Sequence, residues 1–135
     1  MKPAHAILLV EDNPADVKIT QRAIKDSGLS VELIVVRDGQ EAVEYLLRQG
    51  AHAAAPAWRS PDLVLLDMNL PRLDGAQVLE RMRSVADYRL VPVVVLTTSK
   101  RQEDVARMYA AGANTYIQKP ADFPRIAREM STRQA

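Results

Sequence analysis

Four groups of residues able to do chemistry fall directly after short aliphatic runs: Glu11 and Asp12 after AILLV, Asp67 after LVLL, Thr97 after VPVVVL, and Lys119 after TYIQ. Carboxylates, a hydroxyl and an ammonium are the groups needed where one aspartate attacks a phosphoryl group and a cation and a lysine balance the charge. Crowded carboxylates repel: at about 4 Å and an effective dielectric of about 20, each ionised pair is unfavourable by roughly 4 kcal/mol. A divalent cation offsets this, and oxygen ligands on a wet sheet edge suit Mg2+, which keeps several waters and accepts a phosphate oxygen. On this reading Asp67 is the nucleophile. Asp12 and Asp67 hold the metal, with Glu11 acting mainly through water, and Lys119 and the Thr97 hydroxyl hold the remaining phosphoryl oxygens. Taken singly, each residue has a plainer use in a salt bridge or a helix cap; their joint placement at strand ends points to chemistry.

Strand-length apolar runs at residues 6–10, 33–36, 63–66, 93–96 and 115–118 alternate with helix-period segments, the pattern of βα units and a parallel sheet. The expected fold is α/β: a flavodoxin-like, doubly wound (βα)5 sheet with strand order 2-1-3-4-5, whose switch point makes Glu11, Asp12 and Asp67 neighbours. Asn13 with Pro14 suits an N-cap followed by a proline at the first helical position, and Asp38 with Glu41, Asp74 with Gln77 and Ser99 with Gln102 have capping-box spacing. Gly28, Gly50 and Gly112 stand where helices should stop. Val43, Leu46 and Leu47, then Val78, Leu79, Met82 and Val85, then Val105, Met108 and Tyr109 follow a 3.6-residue period and form the expected inward stripes. Residues 50–60 (GAHAAAPAWRS) are a long connection carrying the one tryptophan, Trp58, and read as a surface excursion.

With 135 residues, 47% hydrophobic and 26% charged, the chain is the size and composition of one globular domain, read as residues 1–135 with no output domain. Eighteen basic against 17 acidic residues give a net charge of +1, so no molecule-wide field favours nucleic acid or a membrane. The absence of cysteine excludes disulfides, thiolate metal sites and a cysteine nucleophile. The apolar run near the N-terminus is too short for a membrane span, and a cytoplasmic location is expected.

The strings LLVEDNPAD, PDLVLLDMNLPRLDG, VPVVVLTTS and GANTYIQKP resemble the receiver domains of two-component response regulators, across nearly the whole chain. The resemblance implies that Asp67 is the phosphoacceptor, Glu11 and Asp12 the acidic pair, and Asn69 the residue whose backbone carbonyl completes the metal site. It also implies Thr97 as the switch hydroxyl, Lys119 as the phosphoryl-pairing lysine, a cis bond between Lys119 and Pro120, and Tyr116 as the aromatic that turns inward on activation. Asn69 and Ser99, each two residues after a site residue, are implied to tune the lifetime of the phosphoryl group. Such a protein catalyses its own phosphorylation and dephosphorylation without being an enzyme toward other substrates. The segments LVEDNPADVKITQRAIK and VPVVVLTTSKRQEDV, with the long connection before the third strand, are similar to regulators paired with phytochrome kinases, which implies a phosphohistidine donor on a phytochrome-type sensor kinase.

By the same resemblance the output face comprises residues 100–111, 115–118 and 122–130, with Met108, Tyr109, Ile117, Phe123 and Ile126 as apolar candidates for a downstream protein or a homodimer. Four other readings compete. A dehalogenase-type phosphatase needs a second aspartate two residues after the nucleophile, where this chain has Asn69. A flavin-binding module needs a hydroxyl-rich phosphate loop in place of the acidic EDNPAD. A pseudo-receiver lacks site residues that are all present here. A phosphorelay intermediate, passing the group to a histidine phosphotransfer protein, uses the same site.

Overall fold

The computed structural model describes residues 3–54 and 56–119; the expected last helix with Phe123 and Ile126, and the Lys119–Pro120 bond, lie outside the described residues. Five strands, β1 (His5–Val10), β2 (Val31–Val36), β3 (Leu63–Asp67), β4 (Val93–Thr97) and β5 (Thr115–Gln118), form one sheet in the order β2-β1-β3-β4-β5. Every pairing is parallel, as the expected topology requires. Between the strands run α1 (Pro14–Asp26), α2 (Gly39–Leu46), α3 (Gly75–Arg83) and α4 (Gln102–Ala111).

The aliphatic strands divide their side chains between two cores because successive residues of a strand face opposite sides. Ile7, Leu9, Leu63, Leu65, Val94, Leu96 and Ile117 pack with Val17 and Ile24 of α1. Leu8, Val10, Val64, Leu66, Val93 and Val95 pack with the stripes of α2 and α3 and with Met108 of α4. β1, β3 and β4 are buried on both faces, which is why they read as continuous apolar runs. β2 begins two residues earlier than expected, at Val31; it is a half-buried edge strand, and Glu32 within it masks the apolar pattern.

The caps mostly form as their spacing predicts. Asn13 accepts from the Ala15 amide, Asp38 from Glu41, and Asp74 with Gln77 makes a complete reciprocal capping box. Ser99 does not cap α4. The N-cap is Arg101, and the Ser99 hydroxyl instead donates to Asp104 and accepts from the Arg101 amide. Nor does Gly50 end α2: the chain leaves that helix through Arg48, itself left-handed at φ 52°, while Gly50 opens a single 3-10 turn, Gly50–His52. Tyr109 is exposed rather than part of the core stripe.

Trp58 and Arg59, near the end of the long connection, are fastened to the rest of the molecule. Trp58 Nε1 donates to the Tyr45 carbonyl, the Tyr45 hydroxyl donates to the Arg59 carbonyl, and the Arg59 guanidinium reaches the carbonyls of Pro3 and Ala4 and the carboxylate of Glu32. Trp58 thereby sits at the edge where strands begin, opposite the edge where the candidate site residues lie.

Candidate functional site

Strand register sets the site. Val10 lies level with Val36 on one side and Leu66 on the other, so Glu11 and Asp67 leave the sheet side by side. Leu96 is level with Asp67, and Thr97 with Gln118. The backbone ladder continues one step past the strands, with Glu11 N–H donating to Val36 O at 3.0 Å, Met68 N–H to Leu96 O at 3.0 Å, and Lys119 N–H to Thr97 O at 2.7 Å. This fixes all four groups on one edge.

Glu11, Asp12 and Asp67 each place a carboxylate oxygen within 4.8 Å of the others, with Glu11 and Asp67 buried and Asp12 exposed. Lys119, whose side chain is 6% exposed, projects its ammonium into this cluster. It donates to Glu11 Oε1, to Asp67 Oδ2 at 3.2 Å and to Asp16 Oδ2 at 3.0 Å. Asp16, from the first turn of α1, is a site residue that the strand-end pattern misses, because it reaches the site from a helix. Its spacing of four residues from Asp12 is the signal that was available.

The charges act strongly on one another. Burial, reinforced by the hydrogen bond and negative charge shared with Asp67 and opposed by Lys119, raises the Glu11 carboxyl to about 7. For Lys119, burial alone would favour loss of the proton, but the carboxylates of Glu11, Asp16 and Asp67 outweigh it and hold the ammonium well above the ordinary lysine range. One ammonium therefore faces more negative charge than it can neutralise. That imbalance, together with hard oxygen donors and the exposed Asp12, fits an oxygen-preferring divalent cation.

The remaining candidates lie around this centre. Asn69 is exposed, and its amide donates to Asp67 Oδ1 at 3.1 Å, which orients the carboxylate. Thr97, 2% exposed, turns its hydroxyl toward Met68 Sδ at 3.7 Å and accepts from the Ser99 amide at 2.9 Å. Ser99 is tied to α4 through Asp104 at 2.7 Å. Tyr116 is half-buried, packs edge-on against Tyr109 at 6.2 Å, and lines an open groove of about 560 Å³ with Ser99, Val105 and Gln118. Gly75 was also missed: a Cβ there would lie 2.7 Å from the Asp67 carbonyl and 3.0 Å from Met68 Cα, so only glycine lets α3 start directly behind the acidic loop. Its position immediately after the capping Asp74 was the visible clue.

A parallel 2-1-3-4-5 sheet bearing an acidic trio and a lysine on its carboxyl edge defines a receiver-type module. The family model for the response regulator receiver domain matches residues 7–131, and the chain belongs to that family. Response regulator Rcp1 of Synechocystis sp. is 43% identical over 117 residues, covering 87% of this chain and 78% of the relative. The Mn2+-bound form of Rcp1 superimposes with TM-score 0.82 at 38% identity, covering 95% of this chain and 92% of that one. The phosphorylated cyanobacterial phytochrome response regulator RcpA gives 0.81 at 40% identity, covering 95% and 89%. Among the described residues no helix is long and apolar enough to cross a membrane.

Proposed function

We propose that the chain is a phosphoryl-accepting signalling protein whose acceptor is Asp67, loaded from a phosphohistidine of a sensor kinase, with a phytochrome-type kinase as the donor. The observation that carries this reading is the convergence of Glu11, Asp12 and Asp67 within 4.8 Å, with the Lys119 ammonium donating into the cluster. The kinase class is supported by the likeness to Rcp1 and to the phosphorylated phytochrome regulator RcpA.

In the proposed reaction an Asp67 carboxylate oxygen forms the new bond to phosphorus, while the bond from phosphorus to the donor nitrogen breaks and its electron pair leaves with the imidazole. The Asn69 amide on Asp67 Oδ1 and the Lys119 ammonium on Oδ2 hold the carboxylate in a fixed orientation before attack. Asp12, Asp67 and the Asn69 carbonyl, with Glu11 mainly through water, would hold a Mg2+ ion, which would supply positive charge to the transferring phosphoryl oxygens. Lys119 donates to another of those oxygens. The Thr97 hydroxyl leaves the weak acceptor Met68 Sδ for a phosphoryl oxygen, which releases its hold on the Ser99 amide and lets Tyr116 turn away from Tyr109. Phosphorylation is thereby read out on the face of α4 and β5, where a downstream protein or a second copy binds.

The test is intact mass after incubation with acetyl phosphate, with and without Mg2+, beside Asp67→Asn. One phosphoryl group is expected, dependent on Mg2+ and absent from the variant. No uptake under rapid quenching overturns the reading.

A further inference from the structure

The Lys119 ammonium has three hydrogens and three carboxylate partners, and these partners are not equivalent. Glu11 and Asp67 belong to the acidic trio that fits a cation, whereas Asp16 does not. A dication settling among the trio takes up the charge of Glu11 and Asp67 and also repels the ammonium beside it. A lysine has a long, flexible stem, so with those two bonds weakened it needs another acceptor to stay in place.

Asp16 is built for that task. It lies in the first turn of α1, where Asn13 caps and Pro14 fixes the entry, and the Thr20 hydroxyl bonds back to its carbonyl at 2.9 Å. Its side chain is 19% exposed and is directed at Lys119 Nζ at 3.0 Å. We propose that Asp16 is the positioning residue for Lys119 in phosphoryl transfer: it keeps one N–H of the ammonium while another is freed from Glu11 and Asp67 to meet a phosphoryl oxygen. This inference rests on the phosphoacceptor reading above.

The initial rate of phosphoryl uptake from acetyl phosphate at saturating Mg2+, followed by intact mass, tests it. Asp16→Ala slows uptake roughly ten-fold, the effect of one charge-assisted hydrogen bond. Asp16→Asn, whose amide oxygen still accepts, falls between it and the wild type. In a Lys119→Met background Asp16→Ala has no further effect, because Asp16 acts only through the lysine. An unchanged or faster rate in Asp16→Ala, or an equal slowing in the Lys119→Met background, overturns the proposal.

If uptake by Lys119→Met is too slow to measure, the ammonium 15N resonance of Lys119 in the presence of Mg2+ and beryllofluoride decides. A resolved, slowly exchanging signal in the wild type that is lost in Asp16→Ala supports the role, and equal signals overturn it. Wild-type protein that takes up no phosphoryl group defeats the phosphoacceptor reading itself, whereas normal uptake with an indifferent Asp16 defeats only this inference.

Discussion

Glu11 is the most deeply buried member of the acidic trio, and under the proposed function its charge state governs how readily the site takes a cation. Its carboxyl is raised from 4.5 to about 7, mainly by burial and secondarily by Asp67. Below pH 4.5 both folded and unfolded chains hold this proton. Between 4.5 and about 7 only the folded chain does, so this group's contribution to stability is present at low pH and lost as pH rises through about 7. A cation must displace the same proton. Mg2+ affinity, measured calorimetrically, is therefore expected to climb between pH 5.5 and 7.5, by at most about ten-fold per unit. Glu11→Gln should flatten the climb, and a wild-type affinity that stays level over this range contradicts the assignment. The strand-end residues were legible because each follows an apolar run. Asp16 was not, since its one signal, a spacing of four residues from Asp12, does not say that its carboxylate turns back toward a lysine 103 residues away.

At the scale of the element, the caps determine how helices meet the acidic loop. Asp74 is the best example. Its carboxylate and backbone complete the box with Gln77, and its second oxygen accepts from Arg107 of α4 at 3.0 Å. Burial pushes this carboxyl up, but the Gln77 amide and Arg107 outweigh it and hold it below the usual range. Asp74→Ala is expected to lower stability by about 1 kcal/mol, seen as an earlier urea midpoint in Trp58 fluorescence, whereas Asp74→Asn, which can still cap, should lose less. Equal losses would shift the weight to the ion pair with Arg107. Asp74 and Gln77 were readable because both halves of the box are local. Ser99 and Gln102 have the same spacing and fail, because the Ser99 hydroxyl is engaged by Asp104, so α4 starts two residues later than the motif suggests. Gly50 misled for a related reason: Arg48 tolerates the left-handed turn, and its guanidinium lies 4.6 Å over the Trp58 ring, a partner that spacing could not reveal.

Across the whole molecule, the two edges of the sheet do different work. The carboxyl edge carries concentrated, poorly balanced charge; the amino edge carries the fastenings. There the Trp58, Tyr45 and Arg59 contacts fasten the end of the connection to α2 and to the segment just before β1, so that part of what reads as a surface excursion is held to the molecule. At the same edge Arg83, at the end of α3, donates to the carbonyls of Tyr88, Arg89, Val91 and Gly112 and to Asn114 Oδ1, joining the entry to β4 with the entry to β5. Asn114 Oδ1 also accepts from the Val93 amide at 2.8 Å, so the guanidinium helps register the strand that ends at Thr97. A parallel sheet could be read from the alternation of runs, with its order taken from the flavodoxin-like pattern, but this cage could not, because four of its five acceptors are backbone carbonyls that any sequence supplies. Arg83→Met should leave several of those carbonyls without a donor and lower stability by roughly 3 kcal/mol. The site residues stand at the other edge, so Mg2+-dependent phosphoryl uptake from acetyl phosphate should persist at a temperature well below the variant's melting point. Loss of uptake in a variant that is still folded by circular dichroism would mean that the two edges are coupled, and that registering β4 at its start is a requirement for chemistry at its end.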